Sequence, residues 1–237
     1  FSKEDLEEIC DLVLEENNSR GEGARPLYIM YDQIYSLLTY NKEHFDPVTL
    51  RPEIKEYVVY IDGASKAFAA TGVRVGWAFG PEKVIGKMRS ILGHVGAWSP
   101  KAEQIAMAKF LTDTPEVDTF LDSFKSKVQS SLSALHDGFQ QLKAEGFAVD
   151  SIVPMGAIYL TIKVDYAGKQ TPEGELIENS SDINFYLIKH AKVAFVPFSG
   201  FGTGENVNWF RASVGACTRE DIEAMIPRLR EALSALR

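Results

Sequence analysis

Cysteine is almost missing from this chain of 237 residues: there are 2, Cys10 and Cys217, far apart and without CxxC spacing. That argues against both a disulfide framework and a zinc site. No apolar run approaches a membrane span, and the opening FSKEDLEEIC lacks a signal-peptide pattern. Positive charge is in deficit, with Lys+Arg 25 against Asp+Glu 33 and a net charge of -8. Bulk nucleic-acid binding is therefore not expected, because no surplus of cations exists to neutralise phosphates. His44, His94, His136 and His190 show no ligand spacing, so no metal is expected either. Internal repeats and low-complexity tracts are lacking too. What remains is 45% hydrophobic and 24% charged, an ordinary globular composition. A cytoplasmic, soluble chain of mixed α/β type is the expectation.

The pattern along the chain divides it in two. Ser2 and Asp5 have capping-box spacing, and Leu6, Ile9, Cys10, Val13 and Leu14 fall on one helical stripe. A chain that starts without Met, directly on a helix cap, reads as a piece of something longer. PLYIMYD reads as a buried strand ending at Asp32, Tyr57 to Asp62 as a second, and VRVGWAFG as a third. Helices alternating with buried strands predict an α/β fold with a mostly parallel sheet. Phe120, Phe124, Val128, Leu132, Leu135, Phe139 and Leu142 mark one long amphipathic helix. After it, AIYLTIKVDY, VAFVPF and VNWFRASVG read as strands of an antiparallel sheet, closed by a helix carrying Ile222, Met225, Ile226, Leu229 and Leu233. The second part is thus a smaller α+β domain.

Chemistry-bearing residues concentrate in DGASKAFAATGVRVGW, residues 62 to 77. Lys66 follows a buried strand, where open α/β sheets place ligand-binding residues. Its amine is a nucleophile suited to a carbonyl. Arg74, flanked by Gly72 and Gly76, offers a planar fork suited to a phosphate. Either cation alone is more simply a solvated surface charge; the combined S-K and G-x-R-x-G-W pattern is much rarer. Asp32 and Tyr35 in YDQIY form a second group, for which a helix N-cap and a core phenol are the plain alternatives. A carboxylate, a phenol, a lysine and an arginine at neighbouring strand ends suit a heteroaromatic cofactor with an aldehyde, a phosphate and a ring nitrogen. PFSGFGTG, residues 197 to 204, lacks the Lys-Ser/Thr ending of a phosphate loop and reads as a flexible connection near the substrate. Trp77, Trp98 and Trp209 read as packing residues.

DQIY, SKAFAATGVRVGW and NWFRASVG together resemble the class I/II, fold-type-I pyridoxal-phosphate aminotransferases, and the resemblance runs over essentially the whole chain. It implies pyridoxal 5'-phosphate as cofactor, with Lys66 as its catalytic anchor. It further implies Asp32 at the ring nitrogen, Tyr35 at the ring oxygen, Ser65 and Arg74 at the phosphate, and Arg211 at the substrate carboxylate. Two positions depart from the family's usual pattern: Gly63 stands where many members have Ser, and Thr71 where many have Pro. The implied organisation is the C-terminal half of the cofactor-binding domain over residues 1–112, then a small domain over 113–237. The implied function is transfer of an amino group from an amino acid to a 2-oxo acid by a homodimer with sites near the subunit interface. A decarboxylase, lyase or synthase on the same cofactor is the alternative within enzymology, and a cofactor-binding regulatory domain the alternative outside it.

Overall fold

The computed structural model describes residues 1–40 and 43–237, which divide into two units, Phe1–Asp122 and Ser123–Arg237. Helix α1 (Lys3–Ser19) begins as its sequence dictates. The Ser2 hydroxyl accepts from the Asp5 N–H at 3.1 Å, and the Asp5 carboxylate accepts from the Ser2 N–H at 3.0 Å. The reciprocal pair satisfies two amide donors that have no partner within the helix. Leu6, Cys10 and Val13 bury one stripe of α1 against Ile54, Val58 and Tyr60. Outside this core, Arg51 ties α1 down through Asp11 at 2.7 Å and Glu7 at 3.0 Å.

The sheet of the first unit comprises β1 (Ile29–Asp32), β2 (Val58–Gly63) and β3 (Gly76–Phe79), in that spatial order. Helix α2 (Pro47–Leu50), capped by Asp46, and a 3-10 turn over Pro52–Tyr57 lie between β1 and β2. β1 and β2 pair in parallel, but β3 runs antiparallel to β2, so the sheet is mixed where a mostly parallel one is expected. β3 is also shorter than VRVGWAFG suggests. Thr71–Val73 form a 3-10 turn and Arg74 sits at φ 59, a left-handed conformation that no strand residue adopts. Three helices follow: α3 (Glu82–Val95), α4 (Lys101–Leu111) and α5 (Thr114–Ala144), the last burying the expected stripe from Val128 to Leu142 while Phe120 stays exposed.

The second unit holds an antiparallel sheet in the order β4 (Val149–Ser151), β5 (Tyr159–Val164), β7 (Trp209–Ser213) and β6 (Val196–Pro197). Alternation along β5 and β7 sends Leu160, Ile162, Phe210 and Ala212 into the core and leaves Tyr159, Thr161, Arg211 and Ser213 on the other face. Helices α6 (Ser180–Ala191) and α7 (Arg219–Ser234) complete the unit. α7 buries all five of its expected apolar positions. At Gly138 of α5, an added Cβ would lie 2.5 Å from Ile226 Cδ1 of α7, so glycine is what allows these helices to approach. β6 is only two residues long, because the Phe195 N–H donates to the Asn184 side chain at 2.9 Å instead of to a neighbouring strand.

Candidate functional site

Parallel pairing of β1 with β2 brings Asp32 and the Ala64–Phe68 turn to one edge of the first sheet. Because β3 runs the other way, its entry at Arg74–Gly76 arrives at the same edge. Topology therefore gathers Asp32, Tyr35, Ser65, Lys66 and Arg74, the five cofactor-site residues expected in this unit.

The segment joining β2 to β3 is folded upon itself. The Ala64 N–H donates to Val75 O at 3.0 Å and closes its mouth. Inside, the Thr71 hydroxyl donates to Ser65 O at 3.0 Å, and the Ala69 N–H donates to Lys66 O at 3.1 Å. Phe68 anchors the loop, meeting Phe110 of α4 edge-on at 5.7 Å, beside a buried cluster of Ala64, Val75 and Met107. At the base, Gly63 and Gly76 stand directly opposite each other. A Cβ on Gly63 would lie 3.1 Å from both Gly76 Cα and Val75 O, so the missing serine hydroxyl at position 63 is tied to close backbone packing.

Arg74 donates from Nη1 to Thr71 O at 3.0 Å, and neither Arg74 nor Lys66 is paired with a carboxylate among the described residues. Two cations and a hydroxyl on one short loop, unmatched by acids, suit a dianion such as a phosphate group. On the neighbouring strand end, the Asp32 carboxylate accepts from the Ile34 N–H at 3.1 Å, a turn that orients it without neutralising it. Tyr35 lies in the turn that follows, which is closed by Ser36 N–H to Gln33 O at 2.8 Å and Leu38 N–H to Tyr35 O at 2.9 Å. The donor set thus fits a phosphorylated pyridine aldehyde: cations for the phosphate, a carboxylate for the ring nitrogen, a phenol for the ring oxygen and an amine for the carbonyl.

Asp62 was not singled out by the sequence, yet it reaches the same edge. Burial pushes its carboxyl above the ordinary range, against the opposing effects of the Gly63 N–H and the Gln33 amide that donate to it. Its signal was its place at the end of the apolar run YVVYID. An open groove of about 950 Å³ lined by Tyr28, Tyr57, Glu82, Lys83 and Lys87 contains none of these residues.

Arg211 belongs to the second unit, on β7 between Thr161 of β5 and Val196 of β6. Its guanidinium carbon lies 4.3 Å from the Tyr159 ring centre and 4.3 Å from that of Phe201. Neither aromatic residue stands out in the sequence. The PFSGFGTG connection contains the 3-10 turn Phe198–Phe201 that supplies one of them. Trp77 pairs with Asp62 and packs beside the loop, and Trp209 lies two residues before Arg211 on β7, whereas His136 Nδ1 meets Ser151 Oγ at 2.8 Å and His190 stacks on Tyr186 at 4.5 Å. Trp98 is 55% exposed, contrary to the packing role expected of it.

The mixed sheet of the first unit and the antiparallel sheet of the second define an α/β architecture with a smaller α+β part. The family model for aminotransferase class I and II matches residues 1–229, and the chain belongs to that family. It is 31% identical over 211 residues to a probable aspartate/prephenate aminotransferase of Rickettsia prowazekii, covering 88% of this chain and 50% of the relative. With the aspartate aminotransferase of Bacillus sp. (strain YM-2) it shares 30% over 212 residues, covering 87% and 48%. Among solved structures, the aspartate aminotransferase from Rhizobium meliloti superposes with a TM-score of 0.82 at 25% identity, over 100% of this chain and 55% of that one. A Thermus thermophilus aspartate aminotransferase double mutant gives 0.81 at 25%, over 98% and 53%. The chain spans about half the length of the curated relatives it matches.

Proposed function

We propose that the protein containing this chain transfers an amino group from an amino acid to a 2-oxo acid with pyridoxal phosphate, in the manner of aspartate aminotransferases. The observation that carries this reading is the gathering of Asp32, Lys66 and Arg74 at one sheet edge in a chain of this family. The cofactor, when bound, supplies an electron sink for the pair left on the substrate's Cα.

The protein's own residues then divide the work. Ser65 and Arg74 donate to the phosphate and fix the cofactor in place. Asp32 accepts from the ring nitrogen and holds its proton, while the Tyr35 phenol donates to the ring oxygen. Lys66 would hold the aldehyde carbon through its amine, and the same amine, when free, would be the base that accepts the Cα proton. Arg211 receives the substrate carboxylate with both arms of its fork and aims the Cα–H bond.

The proposed organisation is a cofactor-binding domain part over residues 1–112 and a small domain over 113–237; the two compact units divide between Asp122 and Ser123. A homodimer with its sites near the interface, located in the cytoplasm, completes the proposal. Support for that compartment comes from the cysteines, which are both unpaired, Cys10 buried and Cys217 exposed. No described helix is long and apolar enough to cross a membrane.

Borohydride reduction of the full-length holoprotein, followed by peptide mapping, tests the anchor. The label is expected on Lys66, and a label on Lys101 would overturn the assignment. Incubation with aspartate and 2-oxoglutarate should yield oxaloacetate and glutamate; release of carbon dioxide without a keto acid product would instead assign a decarboxylase.

A further inference from the structure

We propose that Tyr159 and Phe201 are positioning residues: they hold the Arg211 guanidinium between two aromatic faces and so fix how it receives a carboxylate. The proposal rests on the reading of Arg211 given above and adds to it what sets the arginine's orientation.

The placement follows from register. Arg211 is opposite Thr161, and Ser213 opposite Tyr159, so Tyr159 is the diagonal neighbour of Arg211 on the face turned away from the core. On the other side Arg211 is opposite Val196. From there only Pro197 intervenes before the 3-10 turn Phe198–Phe201 folds the chain back and brings the Phe201 ring over the guanidinium. The turn is braced internally. Gly202, at φ 92, ends it with its N–H donating to the Phe198 and Ser199 carbonyls, and Phe198 meets Phe201 edge-on at 6.1 Å. Phe201 is 51% exposed, so burial accounts for little of where its ring lies.

Two aromatic rings, each centred 4.3 Å from the guanidinium carbon, have a specific consequence. The π faces take the cation, while the N–H donors, which lie in the plane, still point outward toward a planar acceptor. No described carboxylate pairs with Arg211, so the fork is not spent on an internal acid. Rotamer freedom is removed before the ligand arrives rather than when it binds, which favours binding. A lysine at this position has no plane to clamp.

The test uses the full-length holoprotein and succinate, an unreactive dicarboxylate, with its Kd read by calorimetry. Phe201→Leu is expected to weaken succinate about 5- to 30-fold, the range of a partly desolvated cation–π contact. Phe201→Tyr, which restores a π face, should stay within about twofold of the parent on the same grounds. In an Arg211→Lys background the penalty of Phe201→Leu should shrink, a coupling that a merely structural role for Phe201 would not produce. If Arg211→Ala loses succinate but Phe201→Leu does not, the clamp is wrong and Arg211 keeps its role. If Arg211→Ala leaves succinate binding unchanged, the carboxylate assignment fails and the clamp with it.

Discussion

The family resemblance sets an expectation of serine at position 63, and placing it there invites the expectation of an extra phosphate contact. The structure predicts a loss instead. Gly63 is buried in β2 opposite Gly76, and a Cβ would lie 3.1 Å from Gly76 Cα and 3.1 Å from Val75 O, both backbone atoms. Neither can swing aside as a flexible side chain would, so the pairing of β2 with β3 must open by a few tenths of an ångström. Overpacking of this kind costs about 1–3 kcal/mol. Replacing glycine also restricts the unfolded chain, which returns about 0.4–1 kcal/mol. The net expectation for Gly63→Ala is a destabilisation of roughly 0.5–2 kcal/mol, and Gly63→Ser should not do better. Because a protein of several units need not unfold in one step, a local probe is preferable to a melting temperature. The Ala64 amide, bonded to Val75 O at 3.0 Å, reports directly on the opening of this pair. Its hydrogen exchange should accelerate by about 2- to 30-fold in Gly63→Ala, given a factor of ten per 1.4 kcal/mol. Unchanged or slower exchange would show that the strands accommodate a Cβ freely, and the steric account of the missing serine would fall.

Three further expectations follow from the same coordinates. Asp150, held by Lys143 at 2.6 Å and the Gln140 amide at 3.0 Å, has its carboxyl drawn down to about 2. A depressed acid stabilises the fold above its unfolded value of about 4 and loses that contribution as pH falls toward 2; solvent screening keeps it near ~1 kcal/mol, and Asp150→Asn should flatten the stability profile across that window in acid denaturation. Gly138→Ala, with its Cβ 2.5 Å from Ile226 Cδ1 and 2.7 Å from Cγ1, should cost about 1–3 kcal/mol in urea unfolding and be relieved by Ile226→Ala, which removes both atoms; no relief would place the strain elsewhere. Asp32→Ala in the full-length protein should lower kcat by about 10²- to 10³-fold with cofactor largely retained, while near-normal turnover would contradict its proposed place at the ring nitrogen.

Much of the fold was legible because its cues are local. The Ser2–Asp5 and Thr218–Asp221 capping boxes announce α1 and α7, and the apolar stripe from Val128 to Leu142 announces the buried stretch of α5. What escaped depends on partners distant in the chain. α6 is capped by Asn179, whose box with Asp182 lies in a polar stretch that resembles a loop until Ile183, Tyr186 and Leu187 are seen buried. The direction of β3 is settled by pairing with β2, on which its residue types are silent. Likewise VAFVPF has the composition of a strand, but Asn184 captures the amide that a ladder would need. The site divides in the same way. Lys66 and Arg74 were visible by spacing, whereas Tyr159 and Phe201 come to Arg211 from opposite sides through two different strand registers.

Arg74 shows how such a site can conflict with the preferences of the chain that builds it. Its φ of 59 is a conformation in which glycine would be relaxed and an L-residue with a side chain pays about 1–2 kcal/mol. Ala69, at φ 49, adds a second such residue within the same loop. The fold has ways to hold both: the Ala64–Val75 bond at the mouth, the Thr71 hydroxyl on Ser65 O, and Phe68 wedged against Phe110. Stability alone would place glycine at position 74. Glycine has no fork. An arginine in a left-handed conformation, at a sheet edge and without a described acid to pair with, is a residue the backbone does not favour, and the proposed phosphate contact gives it a reason to be there.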